Sequence, residues 1–172
     1  MQRDLENAQC TEENLAMGFL SNSLLKGAKN KCIDSYLRDV PERYLAAVRS
    51  GFPAAPKTIL NLHIEMAPKY FHELDVFLRS KGTYSPSEID GHLLHAESIA
   101  LATACKQLNL DYEETETVLS DKAYELAESL YDDSLSPEQN FSRVQSGREL
   151  NAKSVMYRNW VLIAFRYLSQ QE

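Results

Sequence analysis

Apolar residues recur every three or four positions through most of the chain, and no stretch alternates with period two between hairpin turns. The pattern predicts an all-α protein. Its strongest stretch is 150–168, where Leu150, Tyr157, Trp160, Val161, Ala164, Tyr167 and Leu168 form a wide apolar stripe, broadened by Val155, Leu162 and Phe165. It reads as a C-terminal core helix over about 148–169, on which the other helices pack. Lys153, Arg158 and Arg166 interrupt it, and no run of about 18 apolar residues occurs, so no membrane span is expected.

Start and stop signals divide the rest of the chain. Thr11 is placed to cap a first helix whose face is Leu15, Phe19, Leu20 and Leu24, with Gly27 at its end. A short segment, 31–38, follows. Asp39, Pro41 and Glu42 read as a restart, and Gly51 as a stop. From Lys57 the helical period returns, and Pro68 is expected to end or kink that helix. Ser85-Pro86-Ser87-Glu88 combines a cap, an early proline and a capping-box glutamate, and opens a helix to about Leu108. On it Ala96, Ala100 and Ala104 lie four apart, a face that a neighbouring helix, or a second copy, could approach closely. Asp111 caps the next helix, with an optional break at Ser120, and Ser136-Pro137-Glu138-Gln139 repeats the start signal. The sum is a single-domain bundle, 1–172, of seven or eight helices.

Charge changes this picture at one element. The 172 residues carry a formal net charge of −7, which argues against a broad nucleic-acid footprint. Between 111 and 133 lie nine acidic residues and one base, Lys122, so this helix holds more than the whole chain's excess. Such a rod steers a basic protein partner. The residues expected to meet it are Glu113, Glu116, Asp121, Glu125, Glu128 and Asp132, with Tyr124 and Tyr131 as amphipathic anchors.

Reaction chemistry is harder to find. All four histidines fall between His63 and His95, each near a carboxylate in sequence: Glu65 for His63, Glu73 and Asp75 for His72, Glu88 for His92, and Glu97 for His95. His92 and His95 share a helix side, so with Glu88 and His72 they are the candidate metal ligands. Paired Glu-x-x-His, His-Glu-x-x-His, Gly-x-Ser-x-Gly and phosphate-cradling glycine loops are all lacking. A non-catalytic role without a cofactor is therefore expected. Three cysteines without C-x-x-C spacing suit a reducing, cytoplasmic setting; the alternative is a periplasmic or secreted chain with a Cys10–Cys32 disulfide.

The order Cys10, Gly18-Phe19, Cys32, Tyr36-Leu37, Pro41-Glu42-Arg43 is similar to that of small helical immunity proteins of bacterial secretion systems. The resemblance covers this N-terminal part alone and assigns no site residue. Three readings follow: a helical inhibitor, immunity or adaptor protein docking a basic partner through 111–133; a metal-dependent helical enzyme or metal-binding bundle; and a self-associating subunit, a homodimer through the alanine face.

Overall fold

One buried stripe, Leu25, Cys32, Ile33, Tyr36, Val40 and Tyr44, runs at helical spacing across both expected interruptions in the first third of the chain. The computed structural model describes residues 2–171, with side chains from residue 21 on. In it the first three expected segments are one helix, α1 (Gln2–Arg49), which passes through Gly27 and Pro41. Continuous burial outweighs local stop signals, because most helix stability in a protein comes from packing one face. Leu24, expected on the buried face, is 57% exposed; Leu25 takes its place. The expected Thr11 cap, the face Leu15, Phe19 and Leu20, and Cys10 of the alternative disulfide lie outside the residues whose side chains are described. Cys32 and Cys105 are buried free thiols.

The remaining helices are α2 (Pro56–Lys81), α3 (Pro86–Gln107), α4 (Tyr112–Leu130), α5 (Pro137–Gln145), α6 (Arg148–Asn151) and α7 (Val155–Ser169). The protein is all-helical, a bundle of seven helices among the described residues. Ser85 and Ser136 each form the full capping box that their motifs specify, and Asp111 accepts from Glu114 N at 3.0 Å. Gly82 closes α2 in the left-handed conformation, φ 67°, where a side chain would be strained. α4 runs through Ser120 without a break.

Two packing relationships organise the bundle. α1 lies along α2 and α3, and α7 lies along α4; α2 and α3 touch both groups. Ala96, Ala100 and Ala104 are wholly buried in the core, so the alanine face is filled by this chain's own helices and is not open to a second copy. The small side chains let α3 sit close to its neighbours.

Of the two outcomes expected at Pro68, an end or a kink, the end does not occur, since α2 continues through it. One further expectation is corrected: the single C-terminal helix over about 148–169 is two helices, with a break at 152–154. Its buried face is Met156, Tyr157, Val161, Ala164 and Phe165, whereas Trp160 is half-buried and Tyr167 is 53% exposed. At the break Ser154 is engaged with other helices, its N–H donating to Ile64 O of α2 and its hydroxyl to Glu97 of α3.

Candidate functional site

α4 packs through Thr115, Leu119, Ala123 and Ala127, all buried, mainly against α7. At about 3.6 residues per turn, Glu113, Glu114, Asp121, Glu125 and Glu128 fall on the side away from that stripe, and all five are exposed. None takes part in an ion pair among the described residues. Lys122, the one base of the helix, donates to Asn61 Oδ1 on α2.

The other expected contact residues sit apart from this face. Glu116 is half-buried and acts on Tyr112, whose hydroxyl is pushed up in pKa by burial first and by the charge of Glu116 second. Tyr124 meets Tyr167 edge-on, with ring centroids 6.0 Å apart, and Tyr131 packs on Phe165 at 5.8 Å. Asp132 belongs to the turn after α4. Its carboxylate accepts from Ser134 N at 2.9 Å and Ser134 Oγ at 2.6 Å, which holds its pKa below the usual carboxylate range. The buried Asn140 clasps the Asp132 backbone through both N–H and C=O. The face therefore gains Glu114 and reduces to five carboxylates on one helix side.

The histidines do not gather. His92 meets Tyr84 edge-on, and its pKa is lowered first by burial and then by Lys29. His95 Nδ1 lies 3.5 Å from Lys29 Nζ, a cation where a metal site would need a ligand. Glu88 is used in the Ser85 capping box, and His72 is exposed on α2. Among the described residues no group of three His, Cys, Asp or Glu side chains is placed to hold a metal ion. The four expected ligands are thus not brought together.

The histidine that does enter a constellation is His63, through partners distant in sequence. It is wholly buried between Tyr36 of α1 and Glu97 of α3. Its Nδ1 is 2.7 Å from Tyr36 Oη and its Nε2 is 3.1 Å from Glu97 Oε1. Glu97, 1% exposed, also accepts from Ser154 Oγ at 2.5 Å and from Val155 N at 2.9 Å. With Glu97 as the acceptor of three donors, His63 carries its proton on Nε2 and accepts from the Tyr36 hydroxyl at Nδ1. The chain Tyr36–His63–Glu97–Ser154 ties α1, α2 and α3 to the start of α7, where a carboxylate is favoured by the helix dipole. Its imidazole and phenol are wholly buried.

None of the carboxylates near a histidine in sequence serves that histidine through a hydrogen bond. Glu65 pairs with Lys153 at 2.6 Å, Glu73 with Lys31 at 3.2 Å, and Asp75 with Arg79 at 2.9 Å. Glu97 bonds His63 rather than the neighbouring His95. The only signals in the sequence were a His and a Glu on the apolar sides of their helices, and neither spacing names the other.

No known protein family, curated protein or solved structure matches the chain. Among the described residues, no helix is long and apolar enough to cross a membrane.

Proposed function

We propose that the protein is a helical binding module, of inhibitor, immunity or adaptor type, that docks a basic protein partner through α4. The observation that carries this reading is the set Glu113, Glu114, Asp121, Glu125 and Glu128, exposed on one helix side and outside every ion pair of the described residues. Like charges three and four apart on a helix destabilise it slightly. Keeping them unneutralised is accounted for by a partner that supplies the counter-charge. α4 is held rigidly by its buried face, so little order is lost on binding. The field of such a face raises the association rate more than it slows dissociation. The buried free thiols Cys32 and Cys105 favour a reducing compartment and so a cytoplasmic setting.

The test is affinity capture from the native host at low and high salt, with Asp121→Lys/Glu125→Lys/Glu128→Lys beside the parent. The expected result is a basic polypeptide, captured at low salt and lost in the triple variant. A control reversal at exposed Glu42 of α1 should retain it. Equal capture by parent and triple variant would overturn the reading.

A further inference from the structure

A cleft of about 460 Å³ opens where α2, α3 and the α6–α7 turn meet. Arg79, Lys153 and Arg158 line it with His72, against the acids Asp75 and Glu97. Phe71, Leu93 and Val155 form its apolar part. No residue of α4 contributes.

Two of the cations are unusual in how far they are withdrawn from water, and Arg158 also in the weakness of its ties. Lys and Arg are rarely withdrawn from water unless firmly paired. The Lys153 and Arg158 side chains are only 26% and 22% exposed, against 73% for the surface-paired Lys31. Both acids of the cleft are already offset: Glu97 receives three donors, and Asp75 receives Arg79 Nε at 2.9 Å. The partners of the two half-buried cations are exposed carboxylates: Glu65, 62% exposed, which Lys153 meets at 2.6 and 2.8 Å, and Asp90, 52% exposed, for Arg158. The Arg158–Asp90 separation is 3.7 Å, too long for a hydrogen bond. Arg158 Nη1 donates to Asn151 Oδ1 at 3.1 Å, and its Nε is buried with no hydrogen-bond partner among the described residues. A charged N–H withdrawn from water and left without an acceptor is costly, and since Nε is closed to solvent, the groups left to an incoming oxyanion are Nη1 and Nη2, tied only to Asn151 and, at 3.7 Å, to Asp90.

We propose that this cleft binds a small organic anion, with its carboxylate or phosphate group held by Arg158 and Lys153 and its apolar body resting on Phe71, Leu93 and Val155. The volume lies within the range of small-molecule sites, about 300–1,000 Å³. The guanidinium presents a planar edge suited to two oxygens, and the ammonium adds a second charge. The exposed carboxylates that the anion displaces return to water, and such surface pairs are worth little. The site is independent of the acidic face, so either proposal can fail without the other.

The test is titration of the isotope-labelled protein, followed by backbone amide NMR, with benzoate and with phenyl phosphate. Acetate and inorganic phosphate serve as arms that lack the apolar body. Saturable shifts confined to amides around Leu93, Lys153 and Arg158 are expected, with each aromatic anion tighter than its small counterpart. Arg158→Gln should weaken binding by about tenfold or more, and Arg158→Lys by less. Should Arg158→Gln not fold, Lys153→Gln carries the test, because it breaks only a pair with exposed Glu65. Absence of saturable shifts with both aromatic anions would overturn the proposal. So would unchanged affinity in the folded variants, or acetate and phosphate binding as tightly as the aromatic anions.

Discussion

The backbone N–H of Ser154 donates to the carbonyl of Ile64 at 3.0 Å. In an unbroken helix that carbonyl would receive the N–H of residue 68, but residue 68 is proline and has none. Pro68 therefore leaves an open acceptor on α2, and the α6–α7 turn fills it. The Ser154 hydroxyl in turn donates to Glu97 and accepts from Tyr157 N at 3.3 Å, capping α7. One residue thus closes the gap left by a helix-interior proline and starts the last helix.

Pro68→Ala should consequently gain little. A mid-helix proline ordinarily costs about 3 kcal/mol relative to alanine. Here the freed carbonyl is already satisfied, so the expected change is below about 1 kcal/mol. The midpoint of urea unfolding checks it, and a gain near the full amount would show that the Ser154 bond does not compensate.

Glu97 is expected to be the most sensitive polar residue of the core. Glu97→Ala strips the acceptor from His63 Nε2, Ser154 Oγ and Val155 N at once, and should cost about 3–5 kcal/mol. Glu97→Gln keeps the shape and one acceptor oxygen, and should cost about 1–3 kcal/mol. Unfolding free energies that leave Glu97→Ala within 1 kcal/mol of the parent, on the order of an ordinary surface change, would contradict the network.

Alkaline pH should weaken the fold through Tyr36. Burial, then Cys105 and Glu97, push its hydroxyl well above the ordinary tyrosine value. In the unfolded chain a tyrosine ionises near about pH 10. The unfolded state releases this proton first, so stability is fully present below that pH and falls as pH rises beyond it. Tyr36→Phe should flatten this decline while costing about 1–3 kcal/mol at neutral pH, because His63 Nδ1 loses its donor. Tyr44, Tyr112 and Tyr157, also raised by burial, leave a residual slope. Urea midpoints compared at about pH 8 and 11 decide it.

Charge reversal on α4 should leave the fold intact. Glu125 lies four residues after Asp121 and three before Glu128, both like charges on the exposed side. Glu125→Lys converts two repulsions into attractions against one new repulsion from Lys122, for a net gain of no more than about 0.5 kcal/mol. Thermal unfolding measures it. A marked loss would mean that Glu125 serves the fold and not a partner.

The helix signals that held are those in which one local chemistry has one outcome. Ser85 with Glu88, Ser136 with Gln139, and Asp111 each cap as their spacing requires, because the groups involved lie within three residues. The signals that failed were local vetoes. Gly27, Pro41 and Pro68 all lie inside helices, since the buried stripes Leu25–Ile33–Tyr36–Val40 and Ile64–Phe71–Leu74 continue across them. Of the expected α4 contact set, Glu113, Asp121, Glu125 and Glu128 share the exposed side. Glu116, Tyr124, Tyr131 and Asp132 have partners within the chain.

By itself the sequence determined the all-helical class, the capped starts of α3, α4 and α5, and the concentration of negative charge on α4, because each follows from neighbours a few residues apart. Only the tertiary structure decided that His63 answers Glu97 and Tyr36 rather than Glu65, that Ser154 completes α2, and that Lys153 and Arg158 share a cleft. The first partners are 27 to 90 residues apart, and Lys153 of the α6–α7 turn and Arg158 of α7 meet residues of α2 and α3 across the cleft. Packing brings them together, and no periodicity along the chain encodes which buried polar groups will meet.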